Sequence, residues 1–188
     1  MITSRLPILL FLCVLGASCV LFTAPKNDVE FAIVKNISAL AGTYQNKGET
    51  GGNVPPIYLS SILWPDKKLD HRAIETIRVK VASEKSLLVS ALSGGQIVKE
   101  DAFVEGKDFR LISGQIQVAN EIKTSWAYPA GNPFIGIMYG NRILGLDERG
   151  DGKLRSTEAL AGTAFLVIPV AGGSRDNVRF PRVTDQHN

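Results

Sequence analysis

The stretch IRVKVASEKSLLVSA, residues 77–91, decides the fold class. In each half of this stretch an apolar residue recurs at every second position, and apart from Leu88 the residues between them are polar. A period of two places alternate side chains on opposite faces, so the stretch predicts two half-buried strands. The spacer Glu84-Lys85 is too short for a crossover connection, so the two strands are expected to pair as antiparallel neighbours.

The same alternation returns several times toward the C-terminus. Further strands are predicted over residues 109–111, 116–118, 134–139, 141–146, 153–157 and 163–170. Spacers such as Ser93-Gly94-Gly95 and Ser113-Gly114 have the composition of tight turns. The sequence therefore predicts a mainly β fold, an antiparallel meander that forms a small barrel or half-barrel.

Before these strands, residues 28–40 show a different spacing. Asn27 and Glu30 are spaced as in a capping box. Apolar residues then recur every three or four positions, at Val29, Ile33, Ile37 and Leu40. We predict an N-terminal amphipathic helix over residues 28–40 that packs on the sheet.

The N-terminus has the layout of an export signal. Arg5 precedes an uncharged apolar run over residues 6–22, and this run includes three small residues at 16–18. A basic start, an apolar region and a small-residue cleavage site are typical of secretory signal peptides. An uncleaved membrane anchor and ordinary cleavage without lipid remain the alternatives.

The residues Gly16-Ala17-Ser18-Cys19 resemble the lipobox of bacterial lipoproteins. The resemblance implies cleavage before Cys19 and acylation of that cysteine. The expected organisation is then a signal peptide over residues 1–18, the lipidated Cys19 with a tether over 19–27, one β-rich domain over 28–173 and a polar tail over 174–188. Val20 stands where an Asp marks retention in the inner membrane, so the resemblance implies an outer-membrane lipoprotein that faces the periplasm, with an inner-membrane anchor as the alternative.

Composition excludes several classes of protein. The chain has 188 residues, a net charge of +3 and two cysteines, both within the first 19 residues. Loss of residues 1–18 removes one arginine and no acid, and it leaves no pair of thiols for a disulfide. The basic residues are scattered among apolar ones, so no nucleic-acid partner is predicted.

One segment is similar to a calcium-binding loop. Aligned to the EF-hand pattern, Asp147, Asp151 and Glu158 take the first, fifth and twelfth positions. However, Arg149 occupies the third position, where an oxygen ligand is required. We therefore interpret the segment as a hairpin turn over 150–152, and we predict no metal and no cofactor.

Catalytic signatures are sparse. The sequence contains no G-x-S-x-G motif, and only His71 and His187 could serve as an imidazole base. His71 lies in a charged segment and His187 in the polar tail, so neither is predicted to be catalytic. The spacing of the acidic residues singles out no pair of catalytic carboxylates. A cryptic hydrolase that uses carboxylates is the second alternative function.

Aromatic residues are few, and four of them are candidates for lining a ligand cavity. These are Tyr44, Trp64, Trp126 and Tyr139. A filled hydrophobic core also uses such residues, so the cavity is the less favoured interpretation.

The segment GTYQNKG, residues 42–48, and the ending Ile168-Pro169-Val170 are similar to those of uncharacterised Gram-negative lipoproteins. That family implies no known activity and no site residues. The Gly-x-Tyr start is also similar to the Gly-x-Trp of lipocalins, whose barrels bind apolar ligands. The expected function is a membrane-anchored envelope domain that binds or scaffolds an envelope protein partner without catalysis. A lipocalin-like carrier of a small apolar ligand is the first alternative.

Overall fold

The computed structural model describes residues 19–52, 54–118, 122–127, 134–164 and 168–183, and in these ranges the chain is mainly β. One short helix, α1, spans Leu59–Leu63, and a 3-10 turn spans Ile37–Leu40. The strands are β1 (Cys19–Thr23), β2 (Gly42–Gln45), β3 (Thr76–Ser83), β4 (Ser86–Ser93), β5 (Gln96–Val104), β6 (Phe109–Ile112), β7 (Gln115–Val118), β8 (Ile122–Ala127), β9 (Phe134–Leu146), β10 (Gly152–Ala164) and β11 (Ile168–Phe180).

The chain divides into two compact units. In its described residues, unit 1 comprises 19–22, 122–127, 134–141, 157–164 and 168–175. Unit 2 comprises 23–52, 54–118, 142–156 and 176–183. Within unit 1, β8 pairs antiparallel with β9, with Ile122 opposite Tyr139 and Ala127 opposite Ile135.

A four-stranded sheet in unit 2 has the order β2-β3-β4-β5, and all its pairs are antiparallel. Ile77 lies opposite Ala91, and Val79 lies opposite Val89. The alternation in residues 77–91 therefore brings these apolar side chains to one face of the sheet, as predicted.

The other sheet has seven strands in the order β1-β11-β10-β9-β7-β6, with β8 also paired to β9. Isolated bridges join Tyr44 to Arg182 and Glu49 to Arg179, so the chain that ends β11 runs beside β2. The predicted β class is confirmed. Among the described strands neither sheet closes into a barrel.

The helix predicted over residues 28–40 is wrong. Only Ile37–Leu40 forms a helical turn, and Ala32 donates its backbone N–H to the Leu146 carbonyl at 2.9 Å. Ile33, which the helical stripe would bury, is 81% exposed. The segment is rich in β-branched residues, which favour extended backbone, and its N–H groups donate to Leu146 at the end of β9 and to Gly114 in the β6–β7 turn.

Two other segments are more ordered than the sequence suggests. Residues 19–23, predicted as part of a tether, form β1, and Pro25 is buried. Residues 174–180, assigned to the polar tail, complete β11 because Val178 and Phe180 alternate into the core. The predicted signal peptide, residues 1–18, lies outside the described residues, as does His187. No helix in the described ranges has the length and apolarity to cross a bilayer.

Candidate functional site

An apolar cavity of about 120 Å³, partly open to solvent, lies in unit 2. The lining comes from the four-stranded sheet, from α1 and the 3-10 turn, and from the unit 2 segments of β6, β7, β9, β10 and β11. The lining residues are Leu40, Tyr44, Leu59, Ile62, Leu63, Ile77, Val79, Leu87, Val89, Phe103, Asp108, Phe109, Ile116, Leu144, Gly145, Leu146, Gly152, Lys153 and Phe180.

The polar side chains in this lining have partners within the protein. The Tyr44 hydroxyl donates to the Leu40 carbonyl at 2.9 Å. One carboxylate oxygen of Asp108 accepts the Val104 backbone N–H at 2.9 Å. The Tyr44 hydroxyl and one Asp108 oxygen are therefore already engaged in hydrogen bonds within the protein.

Lys153 is the unusual member of the lining, because its side chain is only 2% exposed. Its Nζ lies 2.7 Å from Oδ1 of Asp28 and also donates to the Val29 carbonyl. Asn177 donates to the other Asp28 oxygen at 2.6 Å. A buried ammonium requires such partners, so Asp28 compensates the charge of Lys153.

The pKa of Asp28 reflects these contacts. Burial alone would raise it, but the hydrogen bonds from Lys153 and Asn177 outweigh that effect, and the charges of Lys153 and Arg155 add to them. The net result is a pKa below the ordinary value of 3.8. Asp28 is therefore ionised at neutral pH.

Residues 28–34, which we call the strap, lie along the ends of strands in unit 2. Phe31 forms an isolated bridge with Asp147, and its ring lies 5.3 Å from Lys153 Nζ and 4.9 Å from the Arg155 guanidinium. Val34 donates its backbone N–H to the Gly114 carbonyl at 3.2 Å. The cations and the backbone bonds together hold the strap in place.

Of the four aromatic residues predicted to line a cavity, the structure places Tyr44 there. Burial raises the pKa of its hydroxyl, and Arg182 above the ring partly offsets the effect. Trp64 lines a second, more polar and more open pocket of about 500 Å³ elsewhere in unit 2, and its Nε1 donates to Asp101 at 2.7 Å. Tyr139 is exposed in unit 1. Trp126 belongs to β8, and its side chain lies outside the described part of the chain.

The calcium-like segment forms a turn. Asp147 Oδ1 accepts the backbone N–H groups of Arg149 and Asp151, both at 2.9 Å, and Gly150 adopts a positive φ of 86°. Glu158 lies within β10. No group of three or more potential metal ligands occurs among the described residues.

One hydroxyl–imidazole pair was not predicted from the sequence. His71 Nδ1 lies 3.0 Å from Ser60 Oγ, and Ser60 is fully buried. The buried Asn46 is part of the same network: it accepts the Ser60 N–H and donates to the carbonyls of His71 and Ile74. The buried hydroxyl is closed to a substrate in this conformation, so the network connects α1 to the following loop.

The segment GTYQNKG is placed at the centre of these contacts. Asn46 carries the network just described, and Tyr44 lines the cavity. A side-chain carbon at Gly48 would come within 2.7 Å of the Phe180 ring, so a glycine is needed at this close approach. The described contacts thus give the segment a packing role.

Comparison of the whole chain with protein-family models, with curated protein sequences and with solved structures gave no match.

Proposed function

We propose that this protein is a lipid-anchored domain of the bacterial envelope that binds a small, uncharged apolar molecule without catalysis. The cavity in unit 2 is the observation that carries the proposal. Apolar pockets are sites for apolar ligands, because the ligand removes apolar surface from water and gains contacts with the lining.

The size of the cavity limits its occupant. A cavity of about 150 Å³ lined by aliphatic and aromatic side chains binds benzene or xenon. The present cavity, at about 120 Å³, suits a molecule of similar size or the end of one hydrocarbon chain. Sites for drug-sized ligands are larger, roughly 300–1,000 Å³.

The chemistry of the lining disfavours an anionic occupant. Asp28 already compensates Lys153, and the Tyr44 hydroxyl already donates to a carbonyl. A carboxylate that entered would lose its hydration, and the Lys153 ammonium is already paired with Asp28. An uncharged hydrocarbon or aromatic molecule carries no such cost.

The proposed location rests on the lipobox resemblance at Cys19 and on the likeness of residues 42–48 to Gram-negative lipoproteins. Three acyl chains on Cys19 would anchor the protein stably, since each buried CH₂ adds about 0.8 kcal/mol. We place the domain on the periplasmic side of the outer membrane. The occupant is then an apolar molecule of the envelope, and an envelope protein that delivers or receives it is the proposed partner.

A thermal-shift titration tests the ligand class. Benzene at ten times its Kd should stabilise the native state by about 1.4 kcal/mol, which raises Tm by roughly 3–6 °C in a protein of this size. Benzoate, which has the same ring and a charge, should leave Tm unchanged. Equal shifts with both compounds, or a shift with neither, would contradict the proposal.

A further inference from the structure

Strand β5 forms an edge of the four-stranded sheet in unit 2. It has nine residues and pairs with β4, and none of the other described strands lies on its far side. The opposite edge of the sheet differs, because β2 is bridged through Tyr44 to Arg182 in the chain that follows β11. A long edge strand of this kind can accept one further strand.

The backbone contacts of Val104 show which groups of β5 point away from β4. Its N–H donates to an Asp108 carboxylate oxygen at 2.9 Å, and its carbonyl accepts the Asp108 N–H. Residues of an antiparallel strand direct their backbone groups alternately toward and away from one partner. The pairing of β5 with β4 is regular from Val104 back to Lys99. The N–H and C=O groups of Ala102 and Glu100 therefore also point away from β4, and both residues are exposed.

The second pocket of unit 2, of about 500 Å³, lies beside this edge. Its described lining residues fall within 63–69, apart from Lys99 of β5. Lys99 lies opposite the buried Ala91 and so belongs to the inner face of the sheet. The ring of Trp64 packs against Phe103 of β5, with ring centres 5.9 Å apart. The segment after α1 therefore covers the inner face of β5 and leaves the pocket at the margin of the sheet.

A strand added to β5 would place alternate side chains over this inner face, toward the pocket. Extended peptides bind free sheet edges through main-chain hydrogen bonds, and pockets for alternate side chains make the binding specific. Leu63, Trp64 and Leu69 give the pocket apolar walls that suit a large apolar side chain. On the outer face Glu100 is exposed, and a basic side chain opposite it would gain an ion pair.

A second copy of this chain is a poorer occupant of the edge. Self-pairing that uses both free residues sets Glu100 opposite Ala102 of the other copy. Such pairing centres on Asp101 and places this acid opposite itself, which is destabilising. Val98 has no partner in β4, and this bulge limits the regular edge to residues 99–104.

We propose that β5 is the docking edge for an extended segment of a partner polypeptide in which large apolar residues alternate with lysine or arginine. The apolar side chains enter the second pocket, and a basic side chain pairs with Glu100. The inference gives the partner in the proposed function a recognisable chemistry, but it depends neither on the apolar cavity nor on the lipid anchor.

Hydrogen exchange measured by NMR tests the docking. The full-length protein in detergent is titrated with the synthetic peptide acetyl-TLKLKLT-amide. Without peptide, the amide hydrogens of Glu100 and Ala102 should exchange quickly. Those of Asp101 and Phe103 bond to β4 and should exchange slowly. Saturating peptide should slow exchange at residues 100 and 102 by about tenfold or more.

Variants at the edge provide the controls. Ala102→Pro removes an outward N–H and spares the bonds to β4, so it should weaken peptide binding about tenfold. Ala102→Ser keeps the N–H and should bind like wild type. The acidic peptide acetyl-TLELELT-amide should bind wild type several-fold more weakly than the basic one, and Glu100→Lys should reverse this preference.

Three results would overturn the docking. The first is rapid exchange at residues 100 and 102 in about 1 mM basic peptide, where even a weak complex would form. The second is equal peptide binding by wild type and Ala102→Pro. The third is protection that rises with protein concentration alone, which would make a second copy the occupant. Benzene binding is measured on the same samples, and its presence or absence bears on the proposed function alone.

Discussion

The Lys153 ammonium lies 2.7 Å from the Asp28 carboxylate, and the two side chains are 2% and 21% exposed. The pair joins β10 to the strap, across 125 residues of sequence. Each side chain compensates the charge of the other in a region with little water. A single variant therefore measures the cost of leaving one charge without its partner. A double variant measures what the pair itself contributes to stability.

Asp28→Asn should lower the free energy of unfolding by about 2–4 kcal/mol, because it leaves the buried ammonium uncompensated. The partial exposure of Asp28 keeps the loss below that of a fully buried pair. Urea unfolding at pH 7 measures the change. The double variant Asp28→Asn/Lys153→Met removes both charges and should recover most of the loss. A double variant as unstable as the single one would show that the pair does not act as a unit.

Acid should destabilise the protein through the same carboxylate. The pKa of Asp28 is lowered in the folded state, so the unfolded state binds its proton more readily. Its contribution to stability is complete above the ordinary pKa of 3.8 and is lost as pH falls through the lower folded value. Wild type should lose stability more steeply than Asp28→Asn below about pH 4 in urea titrations. Parallel pH profiles would count against this assignment.

Asn46→Ala should destabilise the protein by about 2–4 kcal/mol, since it removes three hydrogen bonds and leaves buried backbone groups unpaired. Thermal unfolding followed by circular dichroism measures the loss. Gln45→Ala, one residue away and exposed, is the matched control and should change stability by less than about 0.5 kcal/mol. Similar losses in both variants would refute a special role for Asn46.

Gly48→Ala should cost about 1–3 kcal/mol, because its new methyl group would overlap Val178 and lie 2.7 Å from Phe180. Gly140→Ala offers a control, since nothing lies within 4 Å of the corresponding position. That variant should differ from wild type by less than about 1 kcal/mol in urea unfolding. A tolerated Gly48→Ala would show that the packing around this glycine is looser than described.

Local sequence patterns predict the β class of the fold well, but they poorly predict which distant segments pair. The period of two in residues 77–91 predicts β3 and β4, and Ile77, Leu87 and Val89 are buried on the face that this alternation requires. The spacing in residues 28–40 favours a helix, yet long-range pairing with Leu146 and Gly114 holds the chain extended. Such pairing overrides the local spacing, and it cannot be read from the sequence of the segment itself.

The candidate site shows the same division. Tyr44 is predicted as a cavity residue only because it is aromatic, and Tyr139, which is exposed in unit 1, meets the same criterion. Lys153 cannot be predicted as one, since a lysine directly after Gly152 in a turn-like sequence is typical of an exposed position. Its burial depends on Asp28, which is distant in sequence. A cavity arises where side chains from eight or more segments meet without filling the space between them. The sequence of no single segment specifies that arrangement.

Filling the cavity should abolish ligand binding without loss of the fold. Val89→Phe places a ring into the space that Val89 lines, and Leu87→Phe does so from a neighbouring position on β4. Each variant that retains cooperative unfolding should lose the benzene-induced rise in Tm. The exposed Val98→Phe is the control and should keep it. Retention of the rise in a filled variant would place the binding site elsewhere.

Methyl NMR of the protein during a benzene titration tests the central claim most directly. Benzene inside the cavity should shift the ¹³C-methyl resonances of Val89 and Leu144 saturably, through ring currents, while the exposed Val98 methyls stay unchanged. Unshifted Val89 and Leu144 signals up to the solubility limit of benzene would contradict the account of unit 2 as a binding domain for small apolar molecules.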